Sequence, residues 1–482
     1  MIEVKEKPLP RSVLQEYPPA CKNGIYKALD EKLACFGKKI VVLDDDPTGV
    51  QTVHDIPVFT NWQRDTITQA FREEGSMFFI LTNSRSMTTD QSKSVHIEIA
   101  KTVFDIAGNE GKEFIFISRS DSTLRGHYPL ETMVLKSTLE ELGHPAFDGE
   151  IIFPFFMEGG RFTVGNIHYV REGEILIPAA LTEFAKDKSF GYSNSFLPNW
   201  CEEKTNGEYK AEDIVCISLD DLRAGRVGRI SDQLRGVHNF GKVIVNSISY
   251  EDVAVFILAF LDAAAEGMHF MYRSAAAVTK ILGGVTDQPF LSREKLISSE
   301  SQNGGIVLVG SHVNKTTEQL RLLLNSDLLL SGIEFNVKAA LEKGGLERET
   351  ARAAREANTT IKEGRTAVIF TSRERLYSGS EDKDAQVELI ARISDAVTGV
   401  IAGLKVQPAF IVAKGGITSS DAGTKALGVR RAMVMGQVSP GVPVWLTGPE
   451  SRFPNMPFII FPGNVGEAGT LREIIALLTG EK

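Results

Sequence analysis

The sequence lacks the features of several familiar protein classes. Its 53 lysines and arginines form no dense basic run and are outnumbered by 62 aspartates and glutamates, which gives a formal net charge of −9. Because nucleic-acid binding relies on clustered cations, we expect no nucleic-acid partner. No uncharged apolar stretch approaches the ~20 residues of a membrane helix, and no signal-peptide core opens the chain, so we expect no membrane partner and a cytoplasmic location.

Cysteine pairs and the common nucleotide-binding fingerprints are also missing. The four cysteines form no Cys-x-x-Cys motif and histidines such as His127 and His168 have no metal-ligand spacing, so we expect neither a zinc knuckle nor a redox site and interpret these histidines as structural. The chain contains no P-loop, no Gly-x-Gly-x-x-Gly fingerprint after its first predicted strand and no protein-kinase signature. A nucleotide site here must have a less common design.

What the sequence does contain is an alternation of short apolar runs and amphipathic segments. Such alternation predicts the α/β class, with two domains that each hold a largely parallel or mixed sheet flanked by helices. The 482 residues exceed the ~250 to 300 at which single cores stop growing, which also indicates two domains. The predicted strands lie at 39–43, 77–81, 114–117, 151–153, 215–217, 243–245, 305–309, 367–370, 409–412 and 458–461.

A division into domains follows from a change in composition. A stretch mixing Gly, Pro, Ser and charged residues predicts a linker at 286–303. We therefore expect an N-terminal extension at 1–38, an α/β domain at 39–285 and a second at 304–482. The region 338–363 is predicted as a solvent-exposed helical region, and an oligomer contact is its alternative interpretation.

An aspartate run follows the first predicted strand directly, as Asp44-Asp45-Asp46-Pro47-Thr48-Gly49. Ligands of parallel sheets bind beyond the carboxyl ends of strands. Carboxylates there can accept the proton of an attacking alcohol or help to hold magnesium. The alternative is an Asp-rich turn punctuated by Pro and Gly.

The stretch 118–126 follows another predicted strand and holds two arginines, one aspartate and four hydroxyl side chains. This inventory suits a polyol acid, since arginine binds carboxylates bidentately and hydroxyls pair with alcohols. A capped helix start is the alternative. Arg85 and Arg161 could join the same anion pocket, although each alone is more often a surface ion pair.

In the second half, Lys414-Gly415-Gly416-Ile417-Thr418 follows a predicted strand and precedes an amphipathic segment. A Gly-Gly turn lets backbone amides face a phosphate, although glycine turns after strands are common. The sequence Gly463-Asn464-Val465-Gly466 offers a second loop of this kind.

The order of these motifs resembles the four-carbon acid sugar kinase family (DUF1537), whose members phosphorylate erythronate, threonate and 3-oxo-tetronate. The resemblance rests on Asp45-Asp46-Pro47-Thr48-Gly49, on the Asp-Ser-Thr-Leu-Arg-Gly of 121–126, and on matches at 154–163, 310–319, 415–418, 440–443 and 463–466. It covers residues 38–470 in the family's order. Departures occur at Arg119, His127 and Phe461-Pro462, where a Lys-Ser pair is common, and Lys414 is a candidate substitute for that lysine.

The resemblance implies an N-terminal domain that holds the acid sugar, a C-terminal domain that binds ATP, and an active site in the inter-domain cleft. Asp45 or Asp46 would be the base, and Mg²⁺ would bridge the phosphates. Acid-sugar contacts would come from Arg85, Asp121, Ser122, Thr123, Arg125 and Arg161. Nucleotide contacts would come from Ser311, Lys414, Gly415, Gly416, Ile417, Thr418, Gly463 and Asn464.

We therefore expect an ATP-dependent kinase acting on a terminal hydroxyl of a short acid sugar. The leader 1–38 and the segment 182–200 are longer than in compact members of the family and indicate a distinct subgroup. Two alternatives remain open: a non-catalytic sensor of an acid sugar or nucleotide, and another α/β enzyme such as an aldolase or dehydratase. A homo-oligomer is compatible with the sequence.

Overall fold

The computed structural model describes residues 1–22, 24–298, 301–373, 383–463 and 465–481. The strands of these ranges are β1 (Leu9–Pro10), β2 (Lys39–Asp44), β3 (Ile56–Phe59), β4 (Met77–Leu81), β5 (Phe114–Arg119), β6 (Gly149–Phe153), β7 (Arg161–Val164), β8 (Ile167–Glu172), β9 (Ile175–Pro178), β10 (Val215–Ile217), β11 (Gly241–Val245), β12 (Phe270–Ser274), β13 (Ile306–Val309), β14 (Leu330–Phe335), β15 (Thr366–Thr371), β16 (Ile411–Lys414), β17 (Arg431–Ser439), β18 (Val442–Thr447) and β19 (Pro457–Phe461).

The α-helices alternate with these strands over most of the chain. They are α1 (Ile25–Phe36), α2 (Arg64–Arg72), α3 (Thr89–Asn109), α4 (Leu130–Glu141), α5 (Leu197–Lys204), α6 (Leu219–Arg223), α7 (Val227–Arg235), α8 (Tyr250–Ala265), α9 (Ala276–Leu282), α10 (Arg293–Leu296), α11 (Asn314–Leu324), α12 (Gly345–Lys362), α13 (Lys383–Ala402), α14 (Gly416–Asp421) and α15 (Thr470–Thr479). A π-helical turn, Ala422–Ala426, continues α14, and 3-10 turns lie at Arg11–Gln15, Ser84–Ser86, Ala179–Leu181, Glu183–Lys186, Ala211–Asp213 and Val337–Leu341.

The chain divides into two compact units. The N-terminal unit comprises residues 1–45 and 61–287, and the C-terminal unit comprises 46–60 and 288–482. Residues 46–60 join the C-terminal unit because β3 pairs antiparallel with β17, with Phe59 opposite Arg431. The boundaries between the units therefore fall at three points along the chain, and the first lies between Asp45 and Asp46.

The N-terminal unit is built on a parallel sheet with the strand order β10-β11-β6-β12-β5-β2-β4. Every residue of β2 and β4 is buried, as expected for a parallel sheet covered on both faces. A small antiparallel sheet, β1-β9-β8-β7, belongs to the same unit. Helix α3 begins at a capping box in which the side chain of Thr88 accepts from the Gln91 backbone and that of Gln91 accepts from the Thr88 backbone.

The C-terminal unit has a mixed sheet with the order β3-β17-β18-β19-β16-β13-β15-β14. Strands β19, β16, β13, β15 and β14 are parallel, and β3, β17 and β18 add an antiparallel edge. Val307, Val412 and Ile459 of the central strands form a core with Leu471 and Ile475 of α15. This architecture, two α/β domains with parallel and mixed sheets, confirms the predicted fold class.

The predicted elements agree with the structure within a few residues, with some differences. The strand predicted at 409–412 lies at β16, two residues later, and the helical region predicted at 338–363 is a 3-10 turn followed by α12. The strands that were not predicted are β1, β3, β7 to β9, β12, β14, β17 and β18. Across the described ranges, no helix combines the length and the apolar character that crossing a membrane requires.

Candidate active site

The predicted acid-sugar residues of the N-terminal unit follow neighbouring strands. In the register of the sheet, Asp44 at the end of β2 lies opposite Leu81 of β4 and Arg119 of β5. Because parallel strands bring their carboxyl ends to one edge, the loops that follow these three strands come together. Those loops carry Asp45, the Arg85 turn and the 118–126 motif, so distant motifs become one cluster.

Asp45 is held by arginines from the two neighbouring loops. Arg85 donates to both carboxylate oxygens, with its Nε 3.0 Å from Oδ2 and its Nη2 2.5 Å from Oδ1. Arg119 Nη1 lies 3.7 Å from Asp45 Oδ1 and 3.2 Å from Asp44 Oδ1. The Ser120 hydroxyl donates to Asp45 Oδ2 at 3.3 Å. The carboxylate of Asp45 is therefore buried, charge-compensated and fixed in orientation.

Asp121 forms the second ion pair of the cluster. Arg125 Nε donates to Asp121 Oδ2 at 2.7 Å, and the Thr123 hydroxyl donates to the same oxygen. Arg85 Nη1 lies 3.9 Å from Asp121 Oδ1. Since Arg85 contacts both carboxylates, Asp45 and Asp121 belong to one network.

The two carboxylates titrate differently. Burial raises the pKa of Asp45 above its ordinary value, although the charges of Arg85 and Arg119 oppose the rise. Burial also acts to raise the pKa of Asp121, but the charges of Arg125 and Arg85 outweigh it and hold that pKa well below its usual range. A difference of this kind allows two carboxylates of one site to serve different tasks, and Asp121 is the one that stays ionised beside the arginines.

The main chain of Ser122 and Thr123 is fixed by two buried side chains. His168 Nε2 lies 2.8 Å from Ser122 O, and its Nδ1 lies 3.0 Å from Thr163 Oγ1. The Tyr192 hydroxyl donates to Thr123 O at 2.7 Å. Burial lowers the pKa of His168 to about 3, so the imidazole is neutral and its Nε2–H donates to the carbonyl. The hydroxyl-bearing loop is thereby held in place.

Arg161 lies at the start of β7, and both Arg161 and Arg125 contact the ring of Phe184. Its guanidinium carbon is 5.6 Å from the centroid of the Phe184 ring, and that of Arg125 is 5.1 Å from it. Burial lowers the pKa of Arg161. Arg161 Nε is buried and finds no acceptor in the described part of the chain. A buried guanidinium N–H calls for an acceptor from outside, such as an anion or water.

An open cavity of about 510 Å³ lies beside this network, within the N-terminal unit alone. Its volume is in the range of about 300 to 1,000 Å³ that is usual for small-ligand sites. The lining residues come from the turn before α3, from the loop before α4, and from two later segments: Arg85, Ser86, Met87, Thr88, Thr89, Gly126, His127, Tyr128, Pro129, Leu130, Ser189, Phe190 and Lys204.

The predicted nucleotide residues of the C-terminal unit also follow neighbouring strands. Val309 of β13 lies opposite Lys414 of β16, which lies opposite Phe461 of β19. The loops that carry Ser311, the Gly-Gly turn and Gly463 therefore begin at one sheet edge. This is the same arrangement of strand ends that forms the cluster in the N-terminal unit.

Glycines and hydroxyls bring these three loops into contact. A Cβ on Gly310 would collide with Thr418 Oγ1, and one on Gly463 would lie 3.0 Å from Ser311 Oγ. Thr316 Oγ1 lies 3.3 Å from Ser311 Oγ and donates to Gly463 O at 2.9 Å. Gly415 has a φ of +123°, which L side chains rarely adopt. The loops thus approach closely, and a side chain would collide at Gly310 and be strained at Gly415.

Lys414 is buried beneath this edge of the sheet. Its Nζ donates to Pro462 O at 2.6 Å and lies 3.6 Å from the centroid of the Phe461 ring. Burial lowers the pKa of Lys414 to about 7, and the charge of Lys315 adds to this effect. The hydrogen bond from Lys414 therefore holds the backbone of Pro462 in place. Lys414 contacts Phe461 and Pro462, where the sequence departs from the family pattern described above.

Asp46 belongs to the C-terminal unit, where it contacts the Gly-Gly turn. A Cβ built on Gly416 would stand 2.7 Å from Asp46 Oδ2, and Asp46 Oδ1 accepts from the Thr48 backbone N–H at 2.8 Å. Magnesium in phosphate-handling sites is usually held by one or two carboxylates together with phosphates and waters. Asp46 fits that donor set, and no group of three His, Cys, Asp or Glu among the described residues forms a metal cluster of its own.

The remaining predicted residues of this edge differ in placement. Ile417 is 61% exposed, an unusual position for a large aliphatic side chain. Thr418 is buried and accounts for the close approach of Gly310. Asn464 lies outside the residues that the structure describes.

Several residues of the N-terminal cluster escaped prediction from the sequence. Arg273, at the end of the unpredicted strand β12, is buried and donates to Arg125 O at 3.1 Å. Phe184, Tyr192 and Lys204 come from a segment that carries no motif. A prediction of β12 would have identified Arg273, because the residue lies near the end of a parallel strand. Phe184, Tyr192 and Lys204 do not follow strands of the parallel sheet and could not be found in this way.

Comparison with known families also gives two domains, although residues 46–60 of the C-terminal unit fall within the N-terminal match. A sugar-binding N-terminal domain matches residues 40–282, and a nucleotide-binding C-terminal domain matches residues 306–471. The chain belongs to the four-carbon acid sugar kinase family. The cluster around Asp45 and Asp121 lies within the match to the sugar-binding domain, and the glycine loops lie within the match to the nucleotide-binding domain.

Two solved structures have the same fold at low sequence identity. A Haemophilus influenzae protein of family DUF1537 is 15% identical, with a TM-score of 0.58, and the match covers 91% of this chain and 100% of that protein. A putative tRNA synthase from Salmonella typhimurium LT2 is 15% identical, with a TM-score of 0.64, and the match covers 90% of this chain and 98% of that one. No curated protein sequence matches significantly. This acid sugar kinase family member thus shares the fold across its length.

Proposed function

We propose that this protein is an ATP-dependent kinase that transfers the γ-phosphoryl group to a terminal hydroxyl of a four-carbon or similarly short acid sugar. The observation that carries the proposal is the contrast between the two clusters. One is a buried carboxylate and arginine network in a sugar-binding domain, and the other is a set of glycine loops in a nucleotide-binding domain.

In this mechanism Asp45 is the general base. The substrate hydroxyl oxygen attacks the γ-phosphorus, the bond from that phosphorus to the β,γ-bridging oxygen breaks, and ADP leaves with the electron pair. The hydroxyl proton passes to Asp45, whose pKa is raised by burial. Arg85 occupies both oxygens of Asp45 from one side and so fixes the direction of the remaining lone pairs.

The acid sugar is proposed to bind along the 121–126 loop and the adjoining cavity. Ser122 and Thr123 supply hydroxyls, Arg85 and Arg161 supply positive charge, and Asp121 keeps Arg125 in position. The same positive field favours a negatively charged substrate over a neutral sugar, because charge-assisted hydrogen bonds are about twice as strong as neutral ones.

The triphosphate is proposed to bind at the loops of Ser311, Gly415, Gly416 and Gly463. Glycines at these turns let backbone amides approach phosphate oxygens, as in other phosphate sites. Asp46 is the carboxylate that would hold magnesium there, and the ion would neutralise charge on the phosphates. Ile417, exposed beside the turn, offers an apolar surface to the nucleotide.

The test is a panel of four-carbon and neighbouring acid sugars incubated with ATP, with ADP release and product mass measured together. A phosphorylated acid formed in step with ADP supports the kinase. Binding of an acid without turnover favours a sensor, and conversion of an acid without ATP consumption favours an aldolase or dehydratase.

A further inference from the structure

The segment 182–204 forms a wall of the N-terminal cluster although it carries no family motif. Phe184 contacts the guanidinium groups of Arg125 and Arg161, and Tyr192 holds the 121–126 loop through Thr123 O. Phe190 packs edge-on against the ring of His127, with centroids 4.9 Å apart. This segment therefore sets the shape of the site on one side.

Lys204 ends this segment at the last residue of α5 and lines the 510 Å³ cavity together with Arg85. Among the described residues, its Nζ makes no ion pair. Its one hydrogen bond is to Gly191 O, at a long 3.4 Å. The neighbouring carboxylate of Glu203 accepts instead from the Ser193 backbone and the Asn194 side chain. A half-buried ammonium without a carboxylate is a group that an anionic ligand would stabilise.

Two arginines of the cluster, in contrast, are each paired with a carboxylate. Arg125 is paired with Asp121 at 2.7 Å and does not line the cavity in the described part of the chain. Arg85 places two donors on Asp45. Of the lysines and arginines on the cavity wall, Lys204 is thus the one that makes no ion pair with a described carboxylate.

We propose that Lys204 binds the carboxylate of the acid sugar in this cavity and so sets the preference of this protein for an acid over a neutral polyol. The inference rests on the proposed function and deepens it by assigning the carboxylate end of the substrate. The hydroxyl that is phosphorylated lies at the other end of the ligand, toward Asp45.

Two further observations agree with this assignment. Burial lowers the pKa of Lys204, and the charge of Arg273 lowers it further against the opposing charge of Glu203. A carboxylate bound at Nζ would reverse that shift and stabilise the charged amine. The cavity also offers hydroxyls from Thr88, Thr89 and Ser189 for the alcohols of a polyol acid.

The test compares Lys204→Met, Lys204→Arg and the control Lys188→Met, which lies on the same segment, is exposed and does not line the cavity. Binding of erythronate and threonate to the full chain is measured by calorimetry without nucleotide, and KM and kcat are measured with ATP. Lys204→Met should weaken acid binding and raise KM at least tenfold, with kcat within about threefold of the wild type. Lys204→Arg should retain most of the affinity, and Lys188→Met should be unchanged.

A second measurement does not depend on how the variant folds. In the wild type, acylation of lysines by an amine-reactive ester is followed by mass spectrometry with and without saturating acid sugar. The acid should protect Lys204 and not Lys188. Equal acylation of Lys204 in both conditions, unchanged binding by Lys204→Met, or absence of acid binding to the wild type would each overturn the assignment. Acid binding that depends on Lys204 but occurs without phosphoryl transfer would refute the kinase proposal alone.

Discussion

The carboxylate of Asp46 lies so close to Gly416 that a Cβ on that glycine would stand 2.7 Å from Asp46 Oδ2. Two motifs from distant parts of the sequence therefore meet inside the C-terminal unit. The neighbouring residue, Asp45, belongs to the other unit and pairs with Arg85. Adjacent aspartates thus belong to different compact units, and their contacts predict how each responds to substitution.

Gly416→Ala should weaken nucleotide binding by about tenfold or more, a loss of about 1.4 kcal/mol. The added methyl group has to displace Asp46 or the turn, because real Cβ contacts are not that short. Calorimetric titration with ADP and magnesium measures the effect. Gly108→Ala is the control, since a Cβ at Gly108 meets nothing within 4 Å. Wild-type nucleotide affinity in a folded Gly416→Ala protein would refute the assignment of this turn.

Asp45→Asn should lower kcat by about 10² to 10⁴-fold, the usual contribution of a positioned general base, and leave nucleotide affinity unchanged. The amide keeps the shape of the carboxylate and one hydrogen-bond acceptor, but it cannot take the substrate proton. Steady-state kinetics and ADP titration give the two readouts. Asp30→Asn, at an exposed site on α1, is the matched control. Loss of nucleotide binding with kcat retained would reverse the roles proposed for the two domains.

His168 should make the sugar-binding domain sensitive to acid. Its pKa falls from 6.5 to about 3 on burial, so only the unfolded chain takes up a proton between these values. Stability is therefore complete above the unfolded pKa and declines as the pH falls toward 3, by roughly 2 kcal/mol at about pH 5. Calorimetric unfolding of His168→Gln at about pH 7 and pH 5 should show a smaller loss between the two conditions than the wild type. Equal losses in both proteins would contradict the buried neutral imidazole.

Lys414 should give the nucleotide-binding domain a pH dependence of the same sign, at higher pH. Its pKa falls from 10.5 to about 7, mainly through burial, so the unfolded chain binds the proton more tightly between those values. Stability should rise with pH across this window, because the folded amine is neutral there and the cost of removing the proton that the unfolded chain holds falls as the pH rises. Lys414→Met should flatten this rise in unfolding midpoints measured from about pH 7 to about pH 9. A wild-type slope in the variant would mean that another group titrates there.

Much of the fold could be predicted from the sequence, because buried parallel strands are continuous apolar runs. The strands β4 and β10 have the bounds that were predicted, and the motifs at strand ends follow from the same rule. The antiparallel strands β17 and β18 escaped prediction because neither looks like a buried parallel strand. Buried and half-buried residues alternate along β17, and β18 contains a proline. The pairing of β3 with β17 depends on contacts between residues far apart in the chain.

The site was predictable only in part, because residues that follow strands can be located by their position in the sequence, whereas contacts that depend on loop conformation cannot. Asp45, Arg85 and Asp121 follow strands and could be found by position. The ion pair between Arg125 and Asp121 could not, because it depends on the conformation of the loop. Lys204 had no local signal, since its role follows from the packing of a motif-free segment around the cavity.

The most direct measurement is the ATP-dependent conversion of a four-carbon acid sugar by the full chain. ADP release is followed in the presence of magnesium, and the product is identified by mass spectrometry. The account predicts one phosphorylated acid for each ADP formed with at least one erythronate or threonate isomer, and loss of that product in Asp45→Asn. Binding of these acids with no phosphorylated product under conditions where ATP also binds would contradict it.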